Sequence, residues 1–119
     1  MKTRQDVIDA CLTLPGAYEA YPFDDANWTV MRHGSGHRIF AMIFGHEGGL
    51  WINVKAEPMA VILWQQIFPA CRPAYHMNKE HWLSIVLDGS MKDEEIMRLI
   101  HDSYRLTLPR PGRRIRAKG

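Results

Sequence analysis

The stretch RIFAMIFGHEGGLWINVK, Arg38–Lys55, decides the fold of this chain. Two apolar runs, Arg38–Phe44 and Leu50–Lys55, flank the break Gly45-His-Glu-Gly-Gly49. Both runs have strand length, and a glycine-rich break of this size between them signals an antiparallel connection. The second run alternates, with Leu50, Ile52 and Val54 on one face and Trp51, Asn53 and Lys55 on the other. Such alternation predicts a sheet with one face on a core and the other in water.

Upstream, Trp28–His33 is a further strand candidate, closed by Gly34-Ser-Gly36. Before it, Thr3-Arg-Gln-Asp6 reads as a capping box. Val7, Ile8, Cys11 and Leu12 follow at helical spacing until Pro15-Gly16, which predicts a helix over about residues 3–14. Downstream, Pro58 suits a first helical turn, and Met59, Ile62, Leu63 and Gln66 predict a short second helix. A strand pair then straddles a turn, with PAYH (73–76) leading in and Trp82–Leu87 leading out. Asn78 is placed to cap one helical turn, Lys79-Glu80-His81, with Lys79 projecting from its tip and Tyr75 and Trp82 beside it. Asp88-Gly89 breaks the run, Ser90-Met-Lys-Asp93 caps a last helix, and Ile96, Leu99, Ile100 and Tyr104 give its buried stripe.

The expected order is α-β-β-β-α-β-β-α, an α+β two-layer domain with an antiparallel sheet and helices on one face. One domain over residues 1–106 is followed by a basic tail, 107–119, whose prolines and charge predict flexibility. Of the 15 Lys and Arg, six fall between Arg105 and Gly119, where there is no acid. Residues 1–104 hold nine bases against thirteen acids, so the body is mildly acidic and the tail carries the basic excess. No run approaches the roughly 20 apolar residues of a membrane span. The opening MKTRQDV lacks a signal-peptide core, so a cytoplasmic location is expected. The two cysteines, Cys11 in a helical pattern and Cys71 in a loop, are read as reduced thiols.

Chemical motifs are sparse. His76 and His81, and His33 and His37, lack the third and fourth ligands a zinc site needs, and read as surface histidines at strand ends. No GxSxG or phosphate-cradling glycine motif is present, and the paired acids Asp24-Asp25 read as turn acceptors. No enzyme activity and no cofactor are expected. Polyanion binding fits better, because phosphates take Lys and Arg while base faces stack on Trp or Tyr. The row Trp51-Asn53-Lys55 and the stretch Tyr75–Trp82 both offer that menu.

The segments LPGAYEAYPF (14–23), WTV (28–30), IFAMI (39–43), INVKAEP (52–58), YHMNKEHW (75–82) and VLDGS…EEIMRLIHDSYRL (86–106) resemble the MmcQ/YjbR-like family of small bacterial proteins. The resemblance runs from about Arg4 to Leu106 and implies a CyaY-like α+β fold with a double-wing, DNA-binding arrangement. It marks Lys55, Tyr75, His76, Asn78, Lys79, His81 and Trp82 as motif positions and offers no catalytic set. To these the residue pattern adds Trp51 and the tail arginines Arg110, Arg113, Arg114 and Arg116. The resulting expectation is a non-enzymatic, low-specificity DNA-binding protein, a monomer, gripping the phosphate backbone through hairpin wings and tail. No helix-turn-helix pattern suggests sequence reading. The alternative is a protein-interaction or small-ligand adaptor with a pocket between the sheet and the last helix, near Tyr75, His76 and Trp82. Iron handling, by analogy with frataxin-like proteins, ranks behind both, because the acids form no single stripe.

Overall fold

The computed structural model describes residues 1–109. Its elements are α1 (Arg4–Leu12), β1 (Tyr18–Ala20), β2 (Thr29–Arg32), β3 (Ile39–His46), β4 (Gly49–Lys55), α2 (Pro58–Ile67), β5 (Cys71–Pro73), β6 (Trp82–Val86) and α3 (Asp93–Leu106). The strands form one antiparallel sheet in the order β1-β2-β3-β4-β6-β5. The α+β two-layer reading holds, with β1 as an additional short edge strand.

The hairpin that decides the fold is tighter than its glycines suggest. His46 pairs with Gly49, so the loop is only Glu47-Gly48, with φ of 51° and 76°. Two successive positive φ values make a type I′ turn, whose twist matches the strands on either side. In α1, the Thr3 side chain accepts from Asp6 N and the Asp6 carboxylate accepts from Thr3 N at 3.0 Å, the capping box read from the sequence. Arg4 then ties the helix to the sheet. Its guanidinium donates to the carbonyls of Asn27 and Ile43 and to Thr29 Oγ1, over 2.8–3.1 Å.

Ile43, Ile52, Val54, Leu83 and Ile85 meet Val7, Ile8, Cys11, Ile96, Leu99 and Ile100 in a closed core on the helix side. Ser103 of α3 couples the layers, donating to Phe40 O at 2.6 Å and accepting from Lys55 N at 2.8 Å. One close approach fixes a glycine: a Cβ on Gly34 would lie 2.8 Å from Gly16 O.

Several expectations need correction. The last helix is not capped by Ser90, whose amide and hydroxyl both bind Asp88 Oδ1; instead Lys92 N donates to the Glu95 carboxylate at 3.0 Å. The strand before the turn is Cys71–Pro73 rather than PAYH, so Cys71 lies in a strand, and it is buried like Cys11. Burial pushes both thiols up to about 12. His33 is not a surface histidine: it is 1% exposed, with Nε2 2.7 Å from Thr107 Oγ1. Thr107 is itself buried against α3, so the packed domain continues past Leu106. The tail arginines expected to contact DNA, Arg110, Arg113, Arg114 and Arg116, lie outside the described residues. Among the described residues no helix is long and apolar enough to cross a membrane.

Candidate nucleic-acid interface

The sheet face turned away from the helices is where the marked residues gather. It is not the wet face that alternation predicts. Trp51 is 6% exposed and Asn53 fully buried, so neither presents itself to a ligand. Trp51 is covered by Arg72, whose guanidinium carbon lies 5.7 Å from the ring centroid, and by His46, edge-on at 5.0 Å.

The cover over Asn53 is the Ala74–His81 segment. Asn53 pairs across the sheet with Ser84. Ser84 Oγ donates to Asn53 Oδ1 and accepts from Tyr75 N at 2.9 Å, while Asn53 Nδ2 donates to Tyr75 O at 2.9 Å. A two-residue polar clamp thus satisfies both backbone groups of Tyr75 beneath the loop. Tyr75 lies flat on the sheet, 5.6 Å from Phe44 at 20° and 4.0 Å from His46. Trp28 stacks on Phe44 at 4.3 Å and is parallel to Tyr75 within 1°. The next residue, His76, has φ +60°, a left-handed conformation unusual for a non-glycine residue and held here by the tethers on either side.

The rest of the segment follows the local reading. Asn78 Oδ1 accepts from the amides of Glu80 and His81, at 2.8 and 3.1 Å, and Trp82 N returns to Asn78 O. Lys79 does not project freely from the tip: its ammonium turns back to Ala74 O at 2.9 Å, which leaves it two further protons to donate. His81 O accepts from Ala56 N at 3.0 Å, and Lys55 pairs with Trp82, its ammonium 5.9 Å from the indole centroid. Lys55 and the Asn78–His81 turn therefore share one end of the sheet. Arg72, opposite Ser84, joins the same face.

The adaptor pocket expected between sheet and last helix is not assembled by Tyr75, His76 and Trp82. Tyr75 and His76 lie on the helix-free face, and the hollow beside α3, about 310 Å³, is lined by α2 and α3 residues such as Met59, Leu63, Asp102 and Arg105. On the helix-free face a cavity of about 410 Å³ is bounded by Phe23, Asp25, Trp28, Met42, His76 and Met77. Most of these carry no joint signal in the sequence because they come from three separate segments. Among the described residues no group of three or more His, Cys, Asp or Glu sits close enough to hold a metal ion.

Fold and site define a small α+β domain whose sheet carries helices on one side and a tethered aromatic loop on the other. The YjbR family model matches residues 12–106, and the chain belongs to that family. It is 35% identical over 97 residues to the uncharacterized protein YbdF of Escherichia coli O157:H7, covering 82% of this chain and 77% of that one. It is 31% identical over 124 residues to the uncharacterized protein YyaQ of Bacillus subtilis, covering 90% and 99%. A crystal structure from Pseudomonas syringae superposes with a TM-score of 0.80 at 31% identity, covering 89% of this chain and 99% of that one. One from Deinococcus radiodurans gives 0.81 at 33% identity, covering 89% and 78%.

Proposed function

We propose that this protein binds DNA through the phosphate backbone, with little sequence selectivity, at the sheet end where Lys55 meets the Asn78–His81 turn. The observation that carries this reading is the junction of Lys55 with that turn, made by the Lys55–Trp82 pairing and the Ala56–His81 hydrogen bond. Lys55 and Lys79 supply the cations, and His81 and the half-buried Trp82 supply polar and flat surface between them. The first turn of α3, with Asp93, Glu94 and Glu95, belongs to the opposite layer. Glu80 lies in the same turn with its carboxylate 3.3 Å from His81 Nε2, so the phosphate contacts fall to Lys55 and Lys79 on either side of it. The arginines of residues 110–119 add sequence-independent attraction.

Mobility shifts of the full chain on duplex DNA across a salt series test this. With about five phosphates neutralised, affinity should fall by a few powers of ten from low to high salt. Lys55→Ala and Lys79→Ala should each weaken binding alike on unrelated sequences. No shift at about 50 mM salt would overturn the reading.

A further inference from the structure

The cavity on the helix-free face has walls of an unusual mixture: aromatic rings from Phe23 and Trp28, thioethers from Met42 and Met77, the Asp25 carboxylate and the His76 imidazole. Trp28 is backed by fully buried Phe44 and is itself half-exposed, so it forms a rigid floor. Asp25 Oδ1 accepts from Asn27 N at 2.9 Å, and the carboxylate has no ion-pair partner among the described residues. The His76 ring leans on Tyr75 at 4.0 Å and has no hydrogen-bond partner among the described residues.

This chemistry selects its guest. A purely apolar ligand would strip water from the carboxylate without replacing its hydrogen bonds. A phosphate would be repelled by it. A planar heteroaromatic ring bearing amino or ring N–H donors satisfies every wall: stacking on Trp28, donation to Asp25, a second polar contact at His76, and thioethers at the ring edge. The volume lies in the small-ligand range and suits one base with its sugar.

We propose that this cavity takes an unpaired nucleobase. The backbone attached to that base rests on the reading above: Lys79 is three residues from His76 on the same loop and keeps two free protons. The base itself is supplied either by a strand that splays it out or by a free nucleoside. The protein is then selective for single strands, since a duplex keeps its bases stacked.

The test uses the full chain at about 50 mM salt and four probes: a mixed-sequence single strand of about 12 nucleotides, an abasic strand of that length, the matched duplex, and free adenosine. Anisotropy reads the polymers, and ¹⁵N NMR shifts read adenosine. The intact single strand should bind about tenfold tighter than the abasic strand and the duplex. Trp28→Ala should abolish that advantage while leaving abasic-strand affinity unchanged, and Trp28→Phe should keep most of it. Asp25→Ala, at an exposed turn, gives a second variant whose fold is not at risk, and it should lose part of the advantage. Equal binding of intact and abasic strands, or an advantage that survives both Trp28→Ala and Asp25→Ala, overturns the base pocket and leaves backbone contact standing. Adenosine shifts at Trp28 and His76 without any polymer binding would uphold the pocket as a nucleoside site and sink the backbone reading. Silence from every probe sinks both.

Discussion

Both faces of the sheet are covered at their centre, and they are covered by different means. On one side α1 and α3 lie down with their backbone hydrogen bonds already made internally, so the sheet beneath them is plain aliphatic: Ile43, Ile52, Val54, Leu83, Ile85. On the other side the cover is an irregular segment, Ala74–His81, which brings amides and carbonyls that need partners. Polar residues must therefore lie under it, and Asn53 and Ser84 do. A buried backbone group left unpaired costs about as much as a lost hydrogen bond. An alternating strand thus means apolar under helix and polar under loop; it does not by itself mean one face in water.

Substitutions can break this contrast. The largest effect is expected from Phe44→Ala, which removes the ring under both Trp28 and Tyr75 and should cost about 4 kcal/mol. Leu99→Ala on the helix side should cost a comparable amount but leave the loop in place, so hydrogen exchange at Tyr75 N separates the two. Asn53→Ala comes next, at about 3 kcal/mol, because it strands the Tyr75 carbonyl beneath the loop. If denaturant unfolding shows less than about 1 kcal/mol, water reaches that face and the contrast fails. Ser103→Ala, which cuts the hydrogen bonds to Phe40 and Lys55, should cost about 2 kcal/mol with no change at Tyr75.

A smaller effect concerns pH. Burial pulls His33 below the usual imidazole range, so the unfolded chain takes up a proton that the folded one resists. Its contribution is whole above the unfolded value of 6.5 and is lost as pH falls below it. Melting temperatures from about pH 7.5 down to about pH 5 should fall more steeply for the native chain than for His33→Gln. The least perturbation is chemical: with thiols held up near 12, Cys11 and Cys71 should resist alkylation until denaturant is added.

Much of the fold is legible in the sequence because its signals are local. Gly45–Gly49 marks the hairpin, Thr3 and Asp6 the first helix, and Ile96, Leu99 and Ile100 the last. The edge strand Tyr18–Ala20 carries no alternation, since two of its three residues are exposed, and it forms only because β2 offers a free edge. PAYH looks like a strand by composition, yet pairing stops at Pro73 and the chain leaves to cover Asn53. Trp51 is buried for the same reason: alternation gives the face, and only the loop tells whether that face is wet. At the site, the turn cap at Asn78 is local and readable. The partnership of Trp28, Phe44 and Tyr75 spans three segments and has no local signature.

Finally, both margins of the sheet are only three residues long, and the β5 margin ends in Pro73. A proline cannot donate to an incoming strand, and three residues give a newcomer too little ladder to hold. Growth of the sheet into a neighbouring molecule is discouraged at both ends. Crowded in a cell or concentrated in a tube, this domain should resist fibril-like stacking.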